Sequence, residues 1–331
     1  MRLFPFIIGY MDAPKTLQDA IVYFANPDNC VAFLVAQRWP DGDVVCPSCG
    51  RADAKYLPKR RVWQCKTRHP KCQFSVKVGT IFEDSPIGLD KWLMAMWMIA
   101  NCKNGVSSWE IHRALGVTQK TAWFMMHRIR LTMQDDSAGN FGIAAPVEVD
   151  ETFVGGKAKN MHSDKRKKRI TRRGAHDKTI VFGILERGGS VKARVIPDRQ
   201  GKTVGPILAQ HVNAGSEIMT DEMTGYTKLH ETYVHQVVNH AIEYVNGKVH
   251  TNGIENFWAL LKRGLLGTYV SVEPFHLDAY LDEQMFRYNN RATRDNPLND
   301  ADRFAMTVSK VVGRRITYKE LTGKLGEARP F

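Results

Sequence analysis

The chain has 331 residues, 43% of them apolar, with 47 Lys and Arg against 34 Asp and Glu and a net charge of +13. That length allows two or three domains with sizeable cores, and the positive excess points to a polyanionic partner, nucleic acid or an anionic membrane surface. No stretch is long and apolar enough to span a bilayer, and six cysteines in a chain this size do not make a disulfide scaffold.

The N-terminus, "MRLFPFIIGYMDAP", has one Arg, a short apolar run and no small-residue cleavage site. Residues 1–15 read as a ragged start, with Met1 or Met11 as initiator. Residues 16–82 open with two short helices broken at Asn26-Pro27-Asp28. A cysteine cluster follows. Cys46 and Cys49 have the two-residue gap of a zinc knuckle, and Cys65 and Cys72 supply a second pair six residues apart. Four thiolates on two loops suit one tetrahedral Zn²⁺, and His69 inside the longer gap could replace a cysteine. Cys30 and Cys102 sit in apolar helical contexts and read as core.

Residues 83–135 read as helices. "LDKWLMAMWMIANC" is densely apolar and buried. Ser107 and Glu110 have capping-box spacing, Gly116-Val117 turns the chain, and Thr118 can cap a second helix from Gln119 to Met133. This is helix–turn–helix spacing. It puts Gln119, Lys120 and Thr121 where base-reading side chains would sit; an ordinary helical hairpin is the alternative.

Residues 136–145 are small and polar, and read as a linker. From 146 the pattern changes to three strands, a helix, two strands and two helices, an α/β mixed sheet whose first three strands form an antiparallel meander. Residues 157–178 interrupt the meander with a basic insertion. Nine Lys and Arg fall between Lys157 and Arg173, among them Lys165, Arg166, Lys167, Lys168, Arg169, Arg172 and Arg173, and such a run suits a phosphate backbone. Residues 301–331 read as a C-terminal tail.

Three acids stand out. Asp150 is expected to end the first strand of the sheet and Asp221 the fourth, and Glu255 opens a helix 34 positions later. Carboxylates converging there would repel one another unless they held Mg²⁺ or Mn²⁺, two ions per site for phosphate chemistry. In "HTNGIENFWALLKRG", Lys262 lies two turns below Glu255 on the same helix face, where it can reach DNA phosphate.

The segments "RWPDGDVVCPSCG", "FSVKVGTIFEDSPIGLDKWLMAMW", "VEVDETFVGGK", "IMTDEMTGY", "HTNGIENFWALLKRGLLGTY" and "YLDEQMFRYNNR" together resemble the DDE transposases of bacterial insertion sequences, in the zinc-ribbon branch related to Merlin elements. The resemblance covers about residues 16–300. It implies a ribonuclease-H-like catalytic domain over 146–300, two-metal chemistry and transposition of an element with terminal inverted repeats. Asp150 and Asp221 match the family's aspartates. Many members of this branch are described with Asn at the third position, which keeps Asn252 in reserve; Glu255 is taken as the ligand because it fits the acid–x6–Lys spacing and a carboxylate binds Mg²⁺ better than an amide. The expected partner is double-stranded DNA, both element ends and target, bound by a homo-oligomer of at least two chains in the bacterial cytoplasm, at the nucleoid. A structure-specific nuclease of the same fold, or an inactive DNA-binding regulator, is the alternative.

Overall fold

The computed structural model describes residues 14–135, 140–156, 162–164, 178–221, 230, 232–238, 250–294 and 296–324, with the backbone alone at Asp221 and Val238. The chain divides into two compact units, residues 1–133 with 290–331, and residues 134–289.

In the first unit, α1 (Leu17–Phe24) starts at a reciprocal cap between Thr16 and Asp19, and α2 (Pro27–Arg38) starts at Asn26 with Pro27 in its first turn. Three short antiparallel strands follow, β1 (Lys55–Leu57), β2 (Val62–Gln64) and β3 (Gln73–Phe74). Trp63 is their core, stacked on Phe74 with ring centroids 6.1 Å apart and meeting Trp39 edge-on at 6.0 Å. Arg38 ties this module to the chain beyond it, donating to the carbonyls of Val76 and Val78 at 2.9 and 2.6 Å.

Helix α3 (Leu89–Asn101) is buried almost all round, as its composition requires. Helix α4 (Ser108–Leu115) carries the expected capping box of Ser107 and Glu110. It ends at Gly116 in the left-handed region, φ 61°, a conformation glycine adopts without a Cβ penalty. Helix α5 (Gln119–Leu131) begins at the Thr118 cap.

Residues from 301 on are not a peripheral tail. Within α9 (Asp300–Ser309), Phe304 meets Phe24, Phe33 and Trp97 with centroids 5.9, 5.7 and 4.9 Å away. Arg128 donates to the carbonyls of Ile316 and Ile81 at 3.1 and 2.8 Å, just ahead of the short α10 (Tyr318–Leu321). The segment is polar in sequence because one face alone is apolar.

The second unit is a five-stranded sheet in the order β6-β5-β4-β7-β8. Strands β4 (Val147–Val154), β5 (Thr179–Glu186) and β6 (Val191–Ile196) form the antiparallel meander. Strands β7 (Glu217–Asp221) and β8 (Val234–Val238) run parallel to β4. One face packs on α6 (Gly201–His211) through Val147, Val149, Phe182, Ile184 and Leu208. The other packs on α7 (Asn252–Gly267) and α8 (Leu277–Asn289) through Val181, Leu185, Ile254, Phe257, Trp258 and Leu261. Alternation along β4 therefore divides residues between two helical layers, not between core and water: Val147, Glu148 and Val149 are all fully buried. The expected linker already belongs to this unit at Phe141, which is buried and exchanges backbone hydrogen bonds with His211 and Asn213. Most of the basic insertion, including Lys165–Arg169 and Arg172–Arg173, lies outside the described residues.

Candidate active site and metal centre

Asp150 is the fourth residue of β4, not its last. The strand continues to Val154 against β5, whereas its paired register with β7 covers Val147–Ile218 and Glu148–Met219. Asp150 thus stands just past the β4–β7 pairing. Two residues further along each strand from Glu148–Met219 are Asp150 and Asp221, so the two aspartates are level in register. Asp221 closes β7, paired in backbone register with Val238.

The third acid comes from the helix layer. Glu255 lies in the first turn of α7 and accepts a hydrogen bond from Thr251 Oγ1 at 3.1 Å. Asp150, Glu151, Thr152, Thr251, Glu255, Trp258, Ala259 and Lys262 line one open cavity of about 500 Å³. Asp150, Glu255 and Lys262 therefore converge. Asn252 is exposed at the start of the same helix and is not among the lining residues. Trp258 Nε1 donates to Asp150 Oδ2 at 2.9 Å.

Glu148, which sequence reasoning passed over, organises the helix beside this cavity. Fully buried, it accepts from Arg187 Nε at 2.7 Å and from the backbone N–H of Ile254 at 2.9 Å. Arg187 also donates to the His250 carbonyl at 2.5 Å. A buried carboxylate thus holds both a cation and the amide end of α7. Gly253 permits the approach, because a Cβ there would stand 2.8 Å from Glu148 Oε2. The available signal was the glycine beside Asn252, in the first turn of the helix.

In the first unit, Cys46, Cys49, Cys65 and His69 bring their ligand atoms within 4.8 Å of one another. Cys46 Sγ is 3.5 Å from His69 Nε2, and Cys49 Sγ is 3.5 Å from Cys65 Sγ. Gly50 closes the knuckle with φ 75°, its N–H reaching the Cys46 carbonyl at 2.9 Å. Cys72 is outside the cluster. Its carbonyl accepts from the Cys65 N–H at 2.7 Å, pairing the backbone where β2 leads into β3. The three-residue gap from Cys65 brings His69 to the knuckle, so the donors that lie together are Cys46, Cys49, Cys65 and His69, the replacement for a cysteine that the sequence allowed, and Cys72 is not among them. Three thiols and an imidazole fit a structural zinc ion.

Near the start of α5, the Gln119 amide donates to Ser108 Oγ at 2.8 Å, Lys120 lies 4.7 Å above the Tyr318 ring, and Thr121 Oγ1 is 2.9 Å from Thr118 Oγ1. No helix among the described residues is long and apolar enough to cross a membrane.

A Cys and His cluster in the first unit and an acid-lined cavity in the mixed α/β unit are the features to be classed, and comparison with known proteins gives the class. Residues 142–289 match the ISXO2-like transposase domain, and residues 25–73 match the transposase zinc-ribbon domain. The chain is 30% identical over 251 residues to a protein of the transposable element ISH50 from Halobacterium salinarum, covering 71% of this chain and 82% of the relative. It is 32% identical over 97 residues to a transposase-like protein of Haemophilus influenzae, covering 29% of this chain and 78% of that one. No solved structure matches. The chain belongs to the ISXO2-like transposases of insertion elements.

Proposed function

We propose that the protein binds the terminal inverted repeats of its element, cleaves the ends and joins each 3′-OH to target DNA at the Asp150, Asp221 and Glu255 site. The observation that carries the reading is the convergence of Asp150, Glu255 and Lys262 on one open cavity. The sheet order, with its antiparallel meander and two parallel strands beyond β4, supports a ribonuclease-H-like catalytic domain. Asp150, Asp221 and Glu255 would hold two Mg²⁺ or Mn²⁺ ions, since hard carboxylate oxygens suit those cations. Bound there, divalent ions would supply charge neutralisation at the attacking and leaving oxygens of the phosphodiester. Thr251 orients the Glu255 carboxylate by its hydrogen bond. Lys262, exposed on the cavity wall, meets the DNA backbone as a point charge.

Replacing Asp150 or Asp221 by Asn keeps the side-chain shape and removes the charge. End DNA should still bind while strand cleavage falls to background; cleavage retained in both variants would reject the site. Position 255 decides the third ligand. Glu255→Gln should abolish strand transfer in Mg²⁺ while Asn252→Ala leaves it near normal, and the opposite pattern would make the site Asp-Asp-Asn.

End recognition is assigned to α4 and α5, supported by two helices meeting at Gly116 and by Lys120 exposed near the start of the second. Gln119→Ala with Lys120→Ala should lower the ratio of end-DNA to random-DNA affinity at fixed salt. Neutralising Lys165, Arg166, Lys167, Lys168 and Arg169 should weaken binding to every sequence and flatten its salt dependence. The active complex is read as a homo-oligomer of at least two chains, because an element has two ends to be joined.

A further inference from the structure

Strand β5 carries a glycine at an improbable place. Gly183 sits mid-strand, paired on one side with Asp150 and on the other with Ala193. Glycine weakens a strand interior and there marks a close approach of another group. The approaching group is Trp258. A Cβ on Gly183 would lie 2.6 and 2.7 Å from two carbons of its indole. Directly opposed residues share a sheet face, so the missing side chain at 183 is what opens the space beside Asp150 for this ring.

The ring does more than fill it. Trp258 is 4% exposed and packs among Val181, Phe257 and Leu261. Its N–H is aimed at Asp150 Oδ2, 2.9 Å away. Phe or Leu would supply apolar contact equally well. Indole alone among large apolar side chains brings a donor that accepts nothing back.

We propose that Trp258 is a positioning residue that orients the Asp150 carboxylate for divalent-cation binding, with Gly183 as the gap that admits it. The inference rests on the reading of Asp150 as a metal ligand. A neutral N–H on one carboxylate oxygen fixes the rotamer and favours one-oxygen coordination, without adding a cation that would compete with the metal. Partners of this kind, one bond removed from a metal, typically change its affinity by about 10–100-fold.

The test uses Trp258→Phe, which keeps an aromatic ring and removes the donor. Mn²⁺ binding to the full-length protein, followed by calorimetry, should weaken about tenfold or more, with thermal stability in chelator and affinity for end DNA close to wild type. A second readout is direct. The seven tryptophans give seven indole N–H signals in a proton–nitrogen spectrum, and the one lost in Trp258→Phe is assigned to Trp258. Mg²⁺ should move that signal most in the wild type and leave it unmoved in Asp150→Asn. Gly183→Ala should reproduce the weakened binding by displacing the ring. If Trp258→Phe binds Mn²⁺ as wild type does while Asp150→Asn does not, the positioning role is wrong and the ligand assignment stands. If Asp150→Asn binds Mn²⁺ normally, the ligand assignment itself fails.

Discussion

Two single residues of opposite character show where stability resides. Glu148 is a fully buried carboxylate whose two oxygens serve Arg187 and the Ile254 amide. Removing one partner of such a pair leaves the other charge without compensation, at a cost on the order of 3 kcal/mol. Glu148→Ala should therefore lower the unfolding free energy of the second unit by that amount, read as a lower urea midpoint at unchanged slope; a shift within error would mean that Arg187 finds another acceptor. Cys30 is the opposite case, a thiol used as a small apolar group. It donates to the Phe24 carbonyl at 3.1 Å, and burial, with Asp90 adding to it, pushes its pKa up to about 12. Alkylation requires thiolate, so at pH 8 Cys30 should resist iodoacetamide in the native protein and react on unfolding. Fast native labelling at Cys30 would contradict that burial. The sequence placed Cys30 in the core through its apolar neighbours. It could not flag Glu148, because a carboxylate on an alternating strand looks like a solvent-facing residue until a helix is known to cover that face.

At the scale of elements, the zinc module separates what spacing can decide from what it cannot. The Cys46–Cys49 gap defines a knuckle by itself, since two residues suffice to bend both thiols toward one point. The second half offers Cys65, His69 and Cys72 within eight residues, and in the fold it is His69 that lies with the other three donors. Hairpin pairing between Cys65 and Cys72 ties Cys72 to the β2–β3 ladder, while His69 at the loop reaches the thiols. Metal retention follows the same division. His69→Ala should lower zinc content measured by elemental analysis, and Cys72→Ser should keep about one zinc per chain. Loss of zinc in Cys72→Ser with retention in His69→Ala would restore the four-thiol site. Because β1 to β3 are only three, three and two residues long, stripping the metal should unfold this hairpin module. Helix α7 was legible for a different reason: Ile254, Phe257, Trp258, Leu261 and Leu265 recur at helical spacing, and that stripe is what packs on the sheet. The convergence of Glu255 with Asp150 was expected from acids at a strand and at a helix start, and the resemblance supported it, since nothing local joins positions 105 residues apart.

For the whole molecule, chain order and domain membership diverge. The catalytic unit ends at Asn289, and the chain then returns to complete the unit with which it began. A sequence pass sees polar residues after Arg291 and reads a tail; it has no means of knowing that α3 awaits a partner. The partner is α9, where Phe304 is 2% exposed among Phe24, Phe33 and Trp97 and Arg303 Nε donates to Asn101 Oδ1 at 2.9 Å. Truncating so large a buried ring costs roughly 3–5 kcal/mol. Phe304→Ala should therefore destabilise the zinc-ribbon unit while sparing the sheet unit, a contrast that one global midpoint would conceal. Hydrogen exchange resolves it. Amides of α3 should lose protection in Phe304→Ala, and those of β4 and β5 should keep theirs. Ending the chain at Asn289 should deepen the loss in α3, since Arg128 then also lacks the Ile316 carbonyl it binds at 3.1 Å. End-DNA binding should fall with it if recognition belongs to α4 and α5, because those helices pack against α3. Unchanged exchange in α3 after removal of residues 290–331 would show that the first unit folds without its returning segment.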